Sequence, residues 1–162
     1  MRQTYRVVAS LIALGVLVQA AAVAFGWFDV LADTEEGRVF TGDYNVGHIV
    51  HSIVGLGVMP LLGLVLLGVS FPAAKTVPGA RKWAGIVLGL IVLQVALAFL
   101  SYAFPAVGAL HGLNALAVLG TAGRASMLAR SAAPATAAPS TGAGIPAQRS
   151  ATASGSGADL PA

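Results

Sequence analysis

His48 and His51 stand three residues apart at the head of an apolar run, Gly47-His48-Ile49-Val50-His51-Ser52-Ile53-Val54-Gly55. His111 opens a second such run, His111-Gly112-Leu113-Asn114-Ala115-Leu116-Ala117-Val118, which echoes His51-Ser52-Ile53-Val54-Gly55-Leu56-Gly57-Val58 in histidine, small residues and aliphatics. Imidazole ligates metals, relays protons and exchanges hydrogen bonds at either nitrogen. Inside hydrocarbon an ionisable side chain costs free energy unless it is paired or bound, so histidines in apolar runs mark a site by default. The chain has no cysteine, which excludes disulfides, iron-sulfur clusters and thiolate metal sites.

The elements that must carry these residues follow from composition. Of 162 residues, 57% are hydrophobic and 9% charged, against about 25% charged in a soluble domain. Four apolar runs, at about 5–28, 45–70, 83–104 and 105–127, are each long enough to cross, since a ~30 Å hydrocarbon layer takes about 20 helical residues. The expected fold is all-α: an integral membrane, antiparallel four-helix bundle over residues 1–130. Residues 131–162 are rich in Ala, Ser, Thr, Pro and Gly and are expected to form a disordered cytoplasmic tail, because they hold too little apolar surface to offset ordering entropy. Ala22-Val23-Ala24 resembles a signal-peptide cleavage site, but the run continues to Trp27 and Phe28, past the ~7–15 residues of such a segment. The first span is therefore read as retained.

Charge sets the orientation. The segment Asp29 to Tyr44 reads as a polar loop with five acids and one base, Arg38, whereas Phe71 to Lys82 carries Lys75, Arg81 and Lys82 and no acid. Arg2, Arg6, Arg124, Arg130 and Arg149 fall on the same side as that second loop. The excess of bases places both termini in the cytoplasm and the acidic loop outside a cell (plasma or inner) membrane. The net charge of +3 does not indicate nucleic acid, because the bases are spread over helix ends rather than gathered on one face.

A second repeat links the other two spans: Gln19-Ala20-Ala21-Ala22-Val23-Ala24-Phe25 beside Gln94-Val95-Ala96-Leu97-Ala98-Phe99. Each half thus holds a Gln-bearing helix followed by a His-bearing one, an internal two-helix repeat with a pseudo-two-fold axis along the membrane normal. His51 and His111 each lie about six residues inside the outer end of their spans, some 9 Å deep at ~1.5 Å per residue. In a bundle with short connections those spans are diagonal partners, so the imidazoles can face each other. Gly55 and Ala115, one turn below them, leave room for something flat.

One histidine from each of two facing helices is how four-helix bundles hold a b-type heme. The layout resembles one half of heme A synthase or another small membrane cytochrome b. The acidic outer loop, His-x-x-x-Gly, Gln94 and Leu110-His111-x-x-Asn114 more closely resemble an uncharacterised family of small four-span membrane proteins, a domain of unknown function, over residues 1 to about 128. The chain departs from the synthase in having one unit and no outer-loop cysteine, so its activity does not carry over. The resemblance implies heme b with iron ligated by His51 and His111.

Each residue also has a plainer role. The two histidines can simply hydrogen-bond between helices, or serve a quinone, proton or metal site. His48, about 60° round the helix from His51, is read as a hydrogen-bonding or propionate-side residue, though it can replace His51 as ligand. Gln19, Gln94 and Asn114 are most simply interhelical hydrogen bonds, or they orient an imidazole through its other nitrogen. Met59 is expected to pack, Arg38 to be solvated, Pro60 to permit a kink and Pro105 to start a helix. Nothing supplies an enclosed acid-base pair, so electron transfer between a quinol pool and an extracytoplasmic partner is expected ahead of catalysis. The alternative is a non-enzymatic membrane scaffold or complex subunit. A proton path has little support, since no span contains a carboxylate.

Overall fold

The computed structural model describes residues 1–132 and is all-helical there. Four helices follow one another: α1 (Arg2–Glu35), α2 (Val46–Ala73), α3 (Ala80–Ala103) and α4 (Val107–Ser131). The first three are long and apolar enough to cross a membrane. The chain is a membrane protein by that measure. The fourth, with His111, Asn114, Thr121, Arg124 and Ser126 along its length, is more polar and is not among those three. The expected tail lies, from residue 133 onward, outside the described residues.

Helix limits differ from expectation at each connection. α1 does not stop at Phe28 but continues through Asp29, Asp33 and Glu35; no glycine or proline interrupts this stretch until Gly37, whose φ of 80° ends the helix. The acidic residues expected in a loop are thus largely a helical extension. At the other end α2 runs through Phe71 to Ala73, and α3 starts at Ala80 after Gly79, which has φ 75°. Arg81 and Lys82 therefore sit in the first turn of α3. Pro105 lies in the turn before α4 rather than at its start.

α2 is irregular. Val54–Val58 forms a π-helical turn between regular segments, and the N–H of Met59 bonds to the carbonyl of Val54. Gly55, Gly57 and Pro60 make this inexpensive, since glycine adapts its backbone and proline brings no N–H to satisfy. Pro60 lies just after this turn, at the start of the regular segment that follows, and π-helical turns are frequent at functional sites.

α1 packs against both halves of α2 and against α4, and α3 packs against α4. The C-terminal part of α2, Met59–Ala73, also packs against α3, but the N-terminal part, Val46–Ile53 and the π-turn, does not. The core is accordingly concentrated toward the end where Tyr5, Leu66, Val77, Ala84 and Ala125 are fully buried. There the Tyr5 hydroxyl donates to the carbonyl of Ala80 at 3.0 Å, the Ser10 and Ser126 hydroxyls bond at 2.7 Å, and the Arg2 guanidinium donates to Ala132. Arg124 lies 5.8 Å from the centre of the Trp83 ring. At the opposite end the N-terminal part of α2 leans on α1 and leaves a cleft against α3 and α4.

Candidate functional site

The cleft has a volume of about 380 Å³ and takes side chains from all four helices. His51 and His111 line it together with Gln19 and Gln94; apolar residues such as Val16, Met59, Ile91 and Phe99 form most of the wall. None of its lining residues is charged.

The two imidazoles meet across this cleft. Their ring centres are 6.3 Å apart with the planes inclined at 55°. Each is held from behind in the same way: His51 Nδ1 lies 3.1 Å from the carbonyl oxygen of Gln19, and His111 Nδ1 lies 3.1 Å from that of Gln94. A carbonyl only accepts, so Nδ1 carries the proton in both rings, and a neutral imidazole then keeps its lone pair on Nε2. A backbone carbonyl on the far nitrogen is the arrangement that orients ligating histidines and raises their basicity.

The amides serve the two halves unequally. Gln94 Nε2 donates to the carbonyl of His111 at 3.0 Å, and its Oε1 accepts from Asn114 Nδ2 at 2.6 Å. Asn114, itself buried, also donates to the carbonyl of Leu90 at 2.9 Å, standing behind the cleft rather than in it. Gln19 has no such support, and its Oε1 is buried without a partner. The position that corresponds to Asn114, three residues after the histidine, is Val54. Gly55 lies against this glutamine: a Cβ on it would stand 2.6 Å from Gln19 Nε2, the mobile end of a side chain that would have to shift.

His48 takes no part in the cleft. Its ring packs edge-on against Trp27 and Tyr44, with centres 5.1 and 5.9 Å away, and against Gly26. Both ring nitrogens are buried without a hydrogen-bond partner. Arg38, the one base at this end, bonds to Asp33 and to Glu36, the latter at 2.6 Å, beside a separate pocket. The hydrogen bond to Asp33 holds its guanidinium above the ordinary range. Arg38 is exposed, as expected of a solvated loop arginine, and is ion-paired there.

Asn45, which polarity and spacing alone do not single out, organises this end. Its side chain accepts from the N–H of His48 at 3.2 Å, capping α2, and donates to the Gly26 carbonyl and to Asp29, both at 2.8 Å. Asparagine before an apolar run is a recognisable cap, so the signal is present in the sequence. Beside it α1 and α2 touch backbone to backbone, since a Cβ on Gly47 would lie 2.5 Å from the Ala22 carbonyl oxygen and 2.6 Å from the Gly26 nitrogen. Met59 packs as expected, buried and with its sulfur against Gly15.

No protein-family model, curated protein or solved structure matches this chain.

Proposed function

We propose that the protein is a small membrane cytochrome b: an antiparallel four-span bundle, both termini cytoplasmic, that holds one heme b between His51 and His111 in the outer leaflet. The observation that carries this reading is the matched pair of imidazoles, each with Nδ1 bonded to a backbone carbonyl, facing one another over an uncharged cleft. The ring centres stand 6.3 Å apart across the cleft, and the unprotonated Nε2 of each imidazole would be the atom that holds the heme iron.

The donor count favours heme over a bare ion. Among the described residues no group of three or more carboxylates and imidazoles gathers to hold a metal, whereas a structural or catalytic zinc takes three or four protein ligands. A porphyrin brings four nitrogens and asks the protein for only two. The lining offers no cation to the heme carboxylates, and Arg38 is engaged by Asp33 and Glu36. Bound heme would supply a one-electron couple; the protein's part is to fix both tautomers, exclude water and set the ligand spacing. A membrane quinol and an extracytoplasmic carrier are the partners such a site would serve.

The test is an absorption spectrum of detergent-purified protein, oxidised and dithionite-reduced, beside His111→Ala. A sharp reduced α-band at one heme per chain, lost in a variant that still inserts, is the expected result. A colourless, well-folded protein would overturn it. That outcome would favour the second reading, a non-enzymatic scaffold, for which the Gln94, His111 and Asn114 bonds between α3 and α4 are the supporting observation.

A further inference from the structure

The buried rows of α1 and α3 keep the same spacing. α1 buries Tyr5, Ala9, Ile12 and Val16 ahead of Gln19, and α3 buries Ala80, Ala84, Val87 and Ile91 ahead of Gln94. Each residue of the first set precedes its counterpart by the same interval as the two glutamines. Tyr5 and Ala80, which are equivalent in this register, are joined by a hydrogen bond. The two helices that carry the histidines match less simply.

In α4 the buried Val118, Ala122, Ala125 and Ala129 lie seven, eleven, fourteen and eighteen residues after His111. In α2 the buried Met59, Gly63, Leu66 and Ser70 lie eight, twelve, fifteen and nineteen residues after His51. The difference is one residue throughout. It arises between the histidine and the first buried position, where α2 has its π-helical turn.

That one residue matters because each α-helical step turns the chain by about 100°, so eight regular steps would leave Met59 about 80° round from His51, and seven leave it within about 20°. A π-turn winds one more residue into a turn than an α-helix does. We infer that Val54–Val58 accommodates a one-residue insertion in one of two otherwise equivalent helix pairs, and that its π-helical winding is what aims His51 at His111. The turn is a positioning element for the site. Its geometry is independent of what the cleft binds; only the value of the aim rests on the proposed heme.

The absence of cysteine makes the register directly testable in the full-length protein. A His51→Cys/His111→Cys pair is treated with a short, flexible thiol-to-thiol cross-linker. A separate Ser10→Cys/Ser126→Cys pair, replacing hydroxyls 2.7 Å apart, reports on the inner half through disulfide formation. Each pair is placed in three backgrounds: unchanged, with Gly57 deleted, and with Ala117 deleted from the regular helix α4. Deletion of Gly57 is expected to leave both pairs joined, because α2 then has the spacing of α4 as a plain α-helix. Deletion of Ala117 is expected to abolish cross-linking at 51 and 111, and insertion of an alanine after Gly57 is expected to do the same.

Loss of the 51/111 cross-link on deleting Gly57 overturns the inference, whether the inner disulfide survives (rotation) or is lost (misfolding). So does its persistence when Ala117 is deleted. In the histidine-bearing protein the reduced α-band should survive deletion of Gly57 and vanish on deletion of Ala117. A colourless parent would sink the heme proposal, while the cross-linking pattern would still decide the role of the π-turn.

Discussion

Val54 stands where α4 has Asn114, and one glutamine is fully bonded while the other is not. Interhelical hydrogen bonds of this kind in membranes contribute about 0.6 kcal/mol each and at most about 1.7. Asn114→Leu should therefore lower stability by about 1 kcal/mol, since it strips Gln94 Oε1 and the Leu90 carbonyl of a donor. Val54→Asn should raise stability by a similar or smaller amount by giving Gln19 Oε1 the partner it lacks. Thermal unfolding in detergent reads both, and a destabilising Val54→Asn would show that Gln19 is held by other means. His48 gives a contrasting expectation. Both ring nitrogens are sealed without partners among aromatic neighbours, and a buried polar group without a hydrogen bond costs about 1–3 kcal/mol. His48→Phe should thus be neutral or stabilising and leave heme content unchanged, whereas a lost α-band would make His48, not His51, the ligand.

Among the helix contacts, that of Gly47 with α1 is the least forgiving in the N-terminal part of α2. A methyl group there meets the backbone of Ala22 and Gly26, which cannot swing aside as a side chain can. Gly47→Ala should destabilise by about 1–3 kcal/mol, the usual cost of overpacking, and displace His51 with the helix that bears it. The control is Gly112→Ala, for which nothing stands within 4 Å. Comparable melting of the two variants would show that the N-terminal part of α2 yields freely. The four helices and their level histidines are legible in the sequence, because long apolar runs and interruptions by charge or glycine are physical requirements of a membrane-crossing chain. Their limits are not. Polarity alone puts Asp29, Asp33 and Glu35 in a loop, although acids are compatible with helix until Gly37 supplies the left-handed turn. The π-turn is also hidden, because the ungapped echo aligns Val58 with Val118, whereas the buried position that answers Val118 is Met59. Winding changes how residues face without changing their order.

For the whole molecule, charge is divided between the two ends. Arg2, Arg81, Lys82 and Arg124 belong to the end where Tyr5 bonds Ala80 and Arg124 lies over Trp83. Asp29, Asp33, Glu36 and Asp43 gather at the other end with Arg38. A chain that spans four times places the segments 36–45 and 104–106 on one side and 74–79 with the N-terminus on the other. Bases near span ends are retained on the cytoplasmic side, so the acidic end and the histidine cleft should face outward. A cysteine-free background again gives a clean measurement. Thr41→Cys should react with a membrane-impermeant maleimide in intact cells, and Thr76→Cys only after the membrane is permeabilised. Labelling of Thr76→Cys alone would invert the bundle. Labelling of both at once would instead deny that α2, the helix between the two positions, crosses the membrane. Either result would remove the outer-leaflet placement from which an extracytoplasmic electron partner follows, even if heme were bound between His51 and His111.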